Sequence, residues 1–251
     1  QRIQCEWVHT AALTTCLSTV IGLAFGIPVS LLVTWSLSPE AQAILDARFF
    51  GFVWNSALLS TLAATAGVLV GLPLAYLASR KPTWLNTGCL QAAYAGYVLP
   101  GPVAALAVLV LFLNVLPFFY GTVFVLIVAY VLHYLPAGLQ SLEPSIQQIT
   151  PNLEEVARTL GLTVRETWRR VTLPLIRNGV IVAWVLIFLQ TMKELPATLL
   201  LRPVGFDTLA IRVWLEASEE YYQLAAPSAL LIVLVGLPAL ALLLSRDWRA
   251  A

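Results

Sequence analysis

The sequence predicts an all-α membrane protein with about six transmembrane helices, and three features support that fold class. Hydrophobic residues make up 59% of the 251 residues, charged residues only 11%, and the mean hydropathy is +0.85. Soluble domains lie well outside these values, since about a quarter of their residues are charged. The apolar residues also form uninterrupted runs of about twenty residues, the length of a membrane-crossing helix. A soluble core rarely uses such runs, so we expect a membrane bundle.

Six apolar runs are long enough to cross a bilayer, in which a helix satisfies its own backbone hydrogen bonds. We place them near residues 11–36, 52–79, 90–113, 118–140, 178–200 and 222–245. Prolines inside them, such as Pro73 and Pro100, predict kinks, because neighbouring helices can satisfy the freed carbonyls. No internal repeat or low-complexity segment divides the chain, so residues 1–251 are predicted to form a single transmembrane domain.

The distribution of basic residues predicts the orientation, because Lys and Arg beside membrane spans are retained on the cytoplasmic side. With six spans, both termini, the 80–89 turn and the 143–177 loop share one face. The basic residues on that face are Arg2, Arg80, Lys81, Arg158, Arg165, Arg169, Arg170, Arg177, Arg246 and Arg249. Those on the opposite face are only Arg48, Arg202 and Arg212. Both termini and the 143–177 loop are therefore predicted to be cytoplasmic.

Several classes of function are disfavoured by the same sequence. The formal net charge is only +1 and no basic stripe with interleaved aromatics occurs, so we expect lipid contacts and no nucleic-acid partner. Cys5, Cys16 and Cys89 are far apart and suit packing better than a disulfide or metal site. No G-x-x-x-x-G-K-[ST], H-E-x-x-H or G-x-S-x-G motif occurs, so no catalytic residue and no bound cofactor are predicted. The absence of a starting Met suggests part of a longer protein.

The loop at residues 143–177 is the only long polar segment, and its residues predict two short helices. Thr150 can cap a helix that starts at Pro151, and Gly161 can end that helix in a left-handed turn. Residues 163–166, Thr-Val-Arg-Glu, form a capping box that opens a second helix. Pro174 is predicted to help terminate it. The loop is therefore expected to form a helical hairpin.

One side of this hairpin is predicted to be apolar and the other basic. The apolar side consists of Val156, Leu160, Leu162, Val164 and Trp168, and the basic residues are Arg158, Arg165, Arg169 and Arg170. Such a surface can fit the groove of a partner protein. It can equally rest on the bilayer with its arginines near lipid phosphates. The pattern alone leaves both interpretations open.

A family resemblance bears on that choice. Glu155-Val156-Ala157, then Gly161, then residues 171–174, Val-Thr-Leu-Pro, resemble the E-A-A---G---------I-x-L-P signature of permease subunits of binding-protein-dependent ABC importers. The departures, Val156 for Ala and Val171 for Ile, are exchanges between small apolar residues that packing tolerates. Residues 55–76 resemble the opening of the family's membrane domain. Two further segments resemble the iron(III) branch of the family. They are residues 98–102, Val-Leu-Pro-Gly-Pro, and residues 193–210, which begin Lys-Glu-Leu-Pro-Ala-Thr.

This resemblance implies a type I ABC importer fold, a MetI-like bundle in the bacterial inner membrane, with the hairpin as coupling helix. It implies that cytoplasmic ATPase subunits, which use ATP and Mg, contact this hairpin through Glu155, Ala157, Gly161, Leu173 and Pro174. It also implies an extracytoplasmic iron-binding protein and a second permease half, with this chain similar to the second half of a tandem permease. For Glu155, a purely structural role at the helix start remains an alternative.

Charged residues inside a membrane span are costly and therefore worth examining. Lys193 and Glu194 are predicted to lie inside the fifth helix, where they either belong to the translocation pathway or its gate, or pair within the bundle. His133, in the fourth span, is interpreted as a hydrogen-bonded packing residue rather than a metal ligand. On the outer face, Asp207 is expected to cap a short helix, and the acids after it are interpreted as a solvated loop rather than an iron site.

Three further interpretations remain open at this level. The first is transport of another solute, because permeases for polyamines, sulfate and other ions share the loop signature. The second is an ion-coupled secondary transporter that works without an ATPase. That class favours paired half-spans around several intramembrane carboxylates, whereas Glu194 is almost the only candidate here. A noncatalytic membrane scaffold is a third interpretation, and it would leave the ordered hairpin without a task.

Overall fold

Helices form the whole framework of the computed structural model, which describes residues 7–247. Arg2, Cys5 and Arg249, used above, lie outside the described residues. The α-helices are α1 (Trp7–Ile21), α2 (Ile27–Ser36), α3 (Pro39–Ala43), α4 (Ala47–Arg80), α5 (Trp84–Tyr94), α6 (Gly101–Val115), α7 (Val123–Gln147), α8 (Pro151–Thr159), α9 (Val164–Thr167), α10 (Leu173–Met192), α11 (Pro196–Leu201), α12 (Leu209–Ser218) and α13 (Tyr222–Asp247). Within residues 7–247 there is no β-strand, so the predicted all-α class is confirmed.

Five stretches of the described chain are long and apolar enough to cross a membrane as continuous helices: Thr10–Ser36, Ala47–Arg80, Val123–Gln147, Val164–Met192 and Tyr222–Ala241. A sixth candidate is a broken pair, Trp84–Tyr97 and Gly101–Val115, in which the chain direction bends by 118° at the break. Together these give the expected number of about six, and the chain is a multi-pass membrane protein.

The centre of the bundle is formed by α4, α7 and α10, which pack against one another along their length. Small residues allow this close approach. A Cβ atom added at Gly67 of α4 or at Gly138 of α7 would lie 2.8 Å from Cδ1 of Ile187 on α10. Because lipid supplies no hydrophobic drive between helices, such close van der Waals contact is what holds them together.

The N-terminal helices lie at the periphery. α2 packs mainly on α13, where the Trp35 and Tyr222 rings stack with centroids 6.0 Å apart. A π-helical turn, Gly22–Gly26, joins α1 to α2, and the described side chains of α1 are exposed, including Leu17 and Val20. This apolar exposure suits a helix that faces lipid.

The predicted span at 90–113 is sharply bent where Pro100 predicts a kink, and the predicted span at 178–200 is interrupted after Met192. The first breaks at residues 98–100, where Pro100 is extended and Gly101 begins α6. The second ends at Met192, and α11 starts after a break at residues 193–195. Proline explains both breaks, because it has no N–H for the preceding helical turn and its ring collides with that turn's carbonyl. The predicted span at 118–140 extends to Gln147, inside the predicted loop.

Candidate functional site

The hairpin predicted between the fourth and fifth spans is present as α8, a glycine turn and α9, residues 151–167. Gly161 has a φ of +92°, the left-handed conformation that glycine adopts without steric cost. Its N–H donates to the Arg158 carbonyl at 3.0 Å, and the Leu162 N–H donates to the Ala157 carbonyl at 3.2 Å. This is a Schellman motif, which ends α8 with its last carbonyls satisfied. The predicted glycine turn is confirmed.

Both helix starts of the hairpin lie where the sequence predicts them. At α9, the Glu166 N–H donates to Thr163 Oγ1 at 3.3 Å, and the Thr163 N–H donates to Glu166 Oε2 at 3.0 Å. This confirms the capping box. At α8, Thr150 is the residue before the helix, but its side chain accepts no capping hydrogen bond. The predicted side-chain cap at Thr150 is therefore wrong.

The base of the hairpin is tied to the end of α4 through Glu154, one residue before the predicted Glu155. Glu154 Oε1 accepts from Arg80 Nη2 at 3.2 Å and from Thr172 Oγ1 at 3.2 Å, and Oε2 accepts from the Tyr76 hydroxyl at 3.0 Å. The Arg80 and Glu154 side chains are only 11% and 14% exposed. Arg80 Nη2 also donates to the Ile149 carbonyl at 2.8 Å. We call Tyr76, Arg80, Glu154 and Thr172 the anchor cluster.

Aromatic packing supports the same junction. The Trp168 ring meets the Tyr76 ring edge to face, with centroids 4.7 Å apart, and the Arg80 guanidinium lies over the Tyr76 ring at 5.8 Å. The sequence pattern predicts Trp168 on the free apolar side of the hairpin, and this prediction is wrong because Trp168 packs against the core. The hairpin is thus fixed to the bundle by an ion pair, hydrogen bonds and ring contacts.

The rest of the predicted apolar side points away from the bundle. Val156, Leu160 and Val164 are 56%, 80% and 68% exposed, while Leu162 is half-buried. Glu155 is exposed and lines a shallow open recess beside this edge, together with Arg158. An apolar edge flanked by charged groups is chemically suited to contact with another protein or a membrane surface.

The remaining predicted coupling residues have different environments. Ala157 is buried and Leu173 is half-buried against the core, whereas Pro174 is exposed. The prediction that Pro174 ends the second helix is wrong. A π-helical turn at Trp168–Thr172 carries α9 directly into α10, with the Leu173 N–H donating to the Trp168 carbonyl. The wider π-turn accommodates the proline, so the helix runs from Val164 to Met192.

Lys193 and Glu194 do not lie inside a helix, contrary to the prediction. They occupy the break between α10 and α11, where Lys193 is exposed and Glu194 is only 6% exposed. The carboxylate of Glu194 accepts from the Ala197 N–H at 2.9 Å through Oε1 and from the Tyr134 hydroxyl through Oε2. Glu194 therefore caps α11 and links the break to α7.

A second contact between α11 and α7 lies one turn away. The Tyr130 and Thr198 hydroxyls are hydrogen-bonded to each other, and Thr198 Oγ1 donates to the Glu194 carbonyl at 2.8 Å. Tyr130, Tyr134, Glu194 and Thr198 form what we call the buried polar cluster. Sequence reasoning found Glu194 but not the tyrosines, which read as ordinary apolar-span residues.

His133 lies beside this cluster. Its ring meets the Tyr134 ring at 4.8 Å between centroids, and its Nδ1 atom is buried with no hydrogen-bond partner among the described residues. The interpretation of His133 as a hydrogen-bonded packing residue is therefore wrong for that atom. A Cβ atom added at Gly101 would lie 3.8 Å from both His133 Nε2 and Pro196. The two span breaks thus meet at the same point.

Two acids of the segment that follows α11 form local ion pairs. Asp207 pairs with Arg202 instead of capping α12, and Thr208 is the capping residue, with its Oγ1 accepting from the Ile211 N–H at 3.5 Å. Glu216 pairs with Arg212. Across residues 7–247, no group of three or more His, Cys, Asp and Glu side chains is arranged to hold a metal ion.

The fold defines an all-α, multi-pass membrane protein with a helical hairpin at one end of the bundle. Residues 67–248 match the family described as binding-protein-dependent transport system inner membrane component. Because this match covers more than half of the sequence, the chain belongs to that family of ABC transporter permeases.

Individual relatives carry several transport names. The chain is 35% identical over 224 residues to the Fe(3+)-transport system permease protein FbpB 2 of Haemophilus influenzae, covering 88% of this chain and 44% of that protein. It is 25% identical over 244 residues to the putative 2-aminoethylphosphonate transport system permease protein PhnV of Salmonella typhimurium, covering 90% of each. The chain therefore spans less than half of the length of FbpB 2.

Solved structures share the fold. One match is a chain in the crystal structure of a bacterial alginate ABC transporter in complex with alginate pentasaccharide-bound periplasmic protein. It has a TM-score of 0.70 at 18% identity and covers 95% of this chain and 92% of that chain. Another is the MetNI methionine ABC transporter in an inward-facing conformation, with a TM-score of 0.62 at 18% identity over 85% and 99% of the two chains. The predicted MetI-like bundle is confirmed.

Proposed function

We propose that this chain is the transmembrane permease component of an ATP-driven importer for iron(III). The observation that carries the proposal is the hairpin at residues 151–167, which combines a fixed base with an exposed apolar edge. ATP and Mg are used by partner ATPase subunits, since the sequence has no phosphate-binding loop of its own. The membership in a permease family and the similarity to FbpB 2 support this function.

The hairpin is the proposed contact with the ATPase. Closure of two ATPase subunits displaces rigid elements, and a flexible loop would absorb that displacement. The exposed Val156, Leu160 and Val164 provide the apolar contact, and Glu155 contributes charge at its rim. Ala157 and Gly161 act indirectly, because they shape the turn that presents this edge. Leu173 and Pro174 join the hairpin to α10.

The proposed assembly contains a second permease half, because this chain spans only 44% of FbpB 2. We propose that the chain corresponds to one such half in a bacterial inner membrane, with both termini and the hairpin on the cytoplasmic side. The basic residues on the hairpin face support this orientation. A soluble iron-binding protein is proposed to deliver iron(III) to the opposite face, where α12 and the 202–208 loop lie.

Reconstitution tests this function directly. The full permease with its ATPase is placed in proteoliposomes, and uptake of radioactive iron(III) is measured with the binding protein outside and ATP inside. Uptake that requires all three components supports the proposal. Uptake of 2-aminoethylphosphonate instead of iron(III) would overturn the substrate assignment, and no ATP-dependent uptake of either solute would overturn the function.

Gly161→Ala is expected to reduce ATP-coupled uptake about fivefold to 25-fold. The substitution puts a Cβ on a left-handed residue, which costs about 1–2 kcal/mol, and each 1.4 kcal/mol corresponds to a factor of about ten. No neighbouring atom lies within 4 Å of that Cβ, so only backbone strain is tested. The measurement is the ratio of iron(III) taken up to ATP hydrolysed.

Gly161→Asn is the matched control, because asparagine tolerates the left-handed conformation better than other non-glycine residues. We expect it to retain most of the native uptake ratio. Equal ratios for the alanine and native proteins would contradict the rigid-turn argument, and equal losses for alanine and asparagine would attribute the effect to side-chain bulk.

The second candidate function is an ion-coupled secondary transporter, and one observation favours it. The spans break at residues 98–100 and 193–195, and both breaks meet near the buried Glu194, which is a feature of such transporters. In a secondary transporter, the hairpin would have no ATPase subunit to contact. Solute uptake that persists after removal of the ATPase, driven by an ion gradient alone, would establish this alternative.

A further inference from the structure

Three side chains with metal-binding atoms meet where the two broken spans converge. His133 and Tyr134 come from α7, and Glu194 comes from the break between α10 and α11. All three line one small enclosed cavity, together with Gly101 of the other broken span. The Tyr134 hydroxyl contacts the Glu194 carboxylate, and the His133 ring contacts the Tyr134 ring. Phenol, carboxylate and imidazole are thus concentrated at one point inside an apolar bundle.

We propose that His133, Tyr134 and Glu194 form a transient coordination site for iron(III) on its route through the membrane. This inference rests on the proposed function and names the residues that handle its substrate. Carboxylate oxygen is a hard ligand, imidazole suits iron, and tyrosine is an established ligand of ferric iron in proteins. The set contains one of each.

The His133 imidazole has a feature that a packing role alone does not explain. Its buried Nδ1 has no hydrogen-bond partner among the described residues, and leaving a buried polar atom unsatisfied is energetically unfavourable. The opposite ring nitrogen faces Gly101, where a Cβ would lie 3.8 Å from Nε2. A histidine kept in an apolar span at this cost is a functional candidate, and metal coordination would use its lone pair.

The irregular backbone supports the same conclusion. Lipid cannot satisfy free backbone groups, so breaks at membrane depth occur where they line a cavity or a binding site. Here the breaks at residues 98–100 and 193–195 lie close together. A Cβ atom added at Gly101, just after the first break, would lie 3.8 Å from Pro196, just after the second, and 3.8 Å from His133 Nε2. Two independent breaks that meet at one cluster of ligand atoms indicate a binding position.

The charges favour transient binding. When iron(III) binds to the opened site, the Tyr134 phenol releases its proton to water that enters with the opening, and the resulting phenolate and the Glu194 carboxylate supply two negative charges. With neutral His133, one positive charge remains uncompensated. A transport site must bind strongly enough to admit an ion and weakly enough to release it. The cationic Lys193 does not add to the positive charge inside the cavity, because it is exposed and is not among the residues that line the cavity, unlike the buried Glu194.

In the present conformation the site is closed. The cavity has no room for a water molecule, and the Tyr134 hydroxyl and Glu194 carboxylate bond each other. Binding therefore requires that this hydrogen bond be exchanged for two bonds to the metal, and that α7 and the α10–α11 break move apart to admit the ion. The exchange couples loading of the site to an opening of the broken span.

Spectroscopic titration tests the site. The full permease with its ATPase, in lipid nanodiscs, is titrated with ferric nitrilotriacetate, both without nucleotide and with hydrolysis blocked by ATP and vanadate. We expect a visible charge-transfer band from phenolate to iron(III) in at least one of these states, saturating at one iron for each copy of this chain. Tyr134→Phe should abolish the band, and Glu194→Gln, which keeps the shape and capping ability of the side chain, should weaken binding at least tenfold.

Thr198→Val is the structural control, because it removes the hydrogen bonds to the Tyr130 hydroxyl and to the Glu194 carbonyl in the same cluster without removing a proposed ligand. It should keep the band. The inference is overturned if the native protein has no band, if Tyr134→Phe retains it, or if Thr198→Val loses it as Tyr134→Phe does, since the loss would then follow packing.

Uptake measured on the same preparations separates this inference from the proposed function. ATP-dependent iron(III) uptake without any charge-transfer band would refute the coordination site and leave the importer assignment intact. Absence of ATP-dependent uptake in the native protein would refute the importer assignment itself.

Discussion

Replacing Arg80 with alanine is expected to reduce ATP-coupled uptake more than tenfold. The substitution leaves the Glu154 carboxylate, only 14% exposed, without its cation, and breaking a buried ion pair from one side costs about 3–5 kcal/mol. It also removes the donor to the Ile149 carbonyl at 2.8 Å. The hairpin would lose its attachment to α4, so ATPase movements would no longer be passed directly to that helix and would reach the bundle through α10 alone. Iron(III) uptake and ATP hydrolysis by the reconstituted complex, measured together, check this result.

Lys81→Ala is the matched control, because it removes a basic residue directly beside Arg80. Lys81 is exposed, and no ion pair among residues 7–247 includes its side chain. We expect uptake within about twofold of native. A second test is a double-mutant cycle with Arg80→Met and Glu154→Gln, in which the free energy of unfolding is measured for each variant and for the pair. Residues in contact show a coupling energy of about 0.5–3 kcal/mol in such a cycle. Additive losses, or native uptake in Arg80→Ala, would show that the ion pair does not hold the hairpin.

Gly96→Ala is expected to destabilise the whole bundle, because Gly96 lies against the backbone of α7. A Cβ atom there would come closer than 3.0 Å to the Leu132 carbonyl oxygen and within 3.3 Å of its carbon. Backbone cannot move aside as a flexible side chain can, so the turn between α5 and α6 would be pushed away from α7. We expect a loss of at least about 1–3 kcal/mol, the usual cost of overpacking. Thermal unfolding of the purified protein in nanodiscs measures it.

Gly88→Ala provides the comparison within α5 itself. No atom lies within 4 Å of an added Cβ at Gly88, and alanine is favoured over glycine inside a helix by about 0.5–1 kcal/mol. Its melting temperature should equal or exceed that of the native protein. If Gly96→Ala and Gly88→Ala have the same melting temperature, the close approach of Gly96 to α7 is not present in the membrane.

Much of the fold follows from the sequence because its strongest signals are local. Apolar runs define the spans, and the capping box at Thr163 and the left-handed turn at Gly161 depend on neighbouring residues only. Prolines are different. Pro73 lies inside the continuous α4, whereas Pro100 and Pro196 begin new segments after a break. Which proline bends and which breaks depends on the neighbouring helices that satisfy the freed carbonyls, and this is tertiary information.

The sequence predicts residues of the candidate site only where a motif or an isolated charge marks them. The loop signature points to Glu155, but the buried carboxylate that holds the hairpin is Glu154, whose partner Arg80 is 74 residues away. Likewise, Glu194 is conspicuous as a charge in an apolar run, while Tyr134 is not, although the two lie 60 residues apart and in contact. Pairing over such separations is created by the packing of α4, α7 and α10.

The π-turn at Trp168–Thr172 leaves no joint between the hairpin and the fifth span. The helix from Val164 to Met192 has 29 residues and is therefore about 43 Å long, and it ends beside Glu194. If it tilts as a rigid rod, a change of about 5° at the hairpin end displaces the other end by roughly 4 Å. That distance exceeds the length of a hydrogen bond, so a small rotation at the hairpin end is enough to separate Tyr134 from Glu194 at the opposite end of the helix.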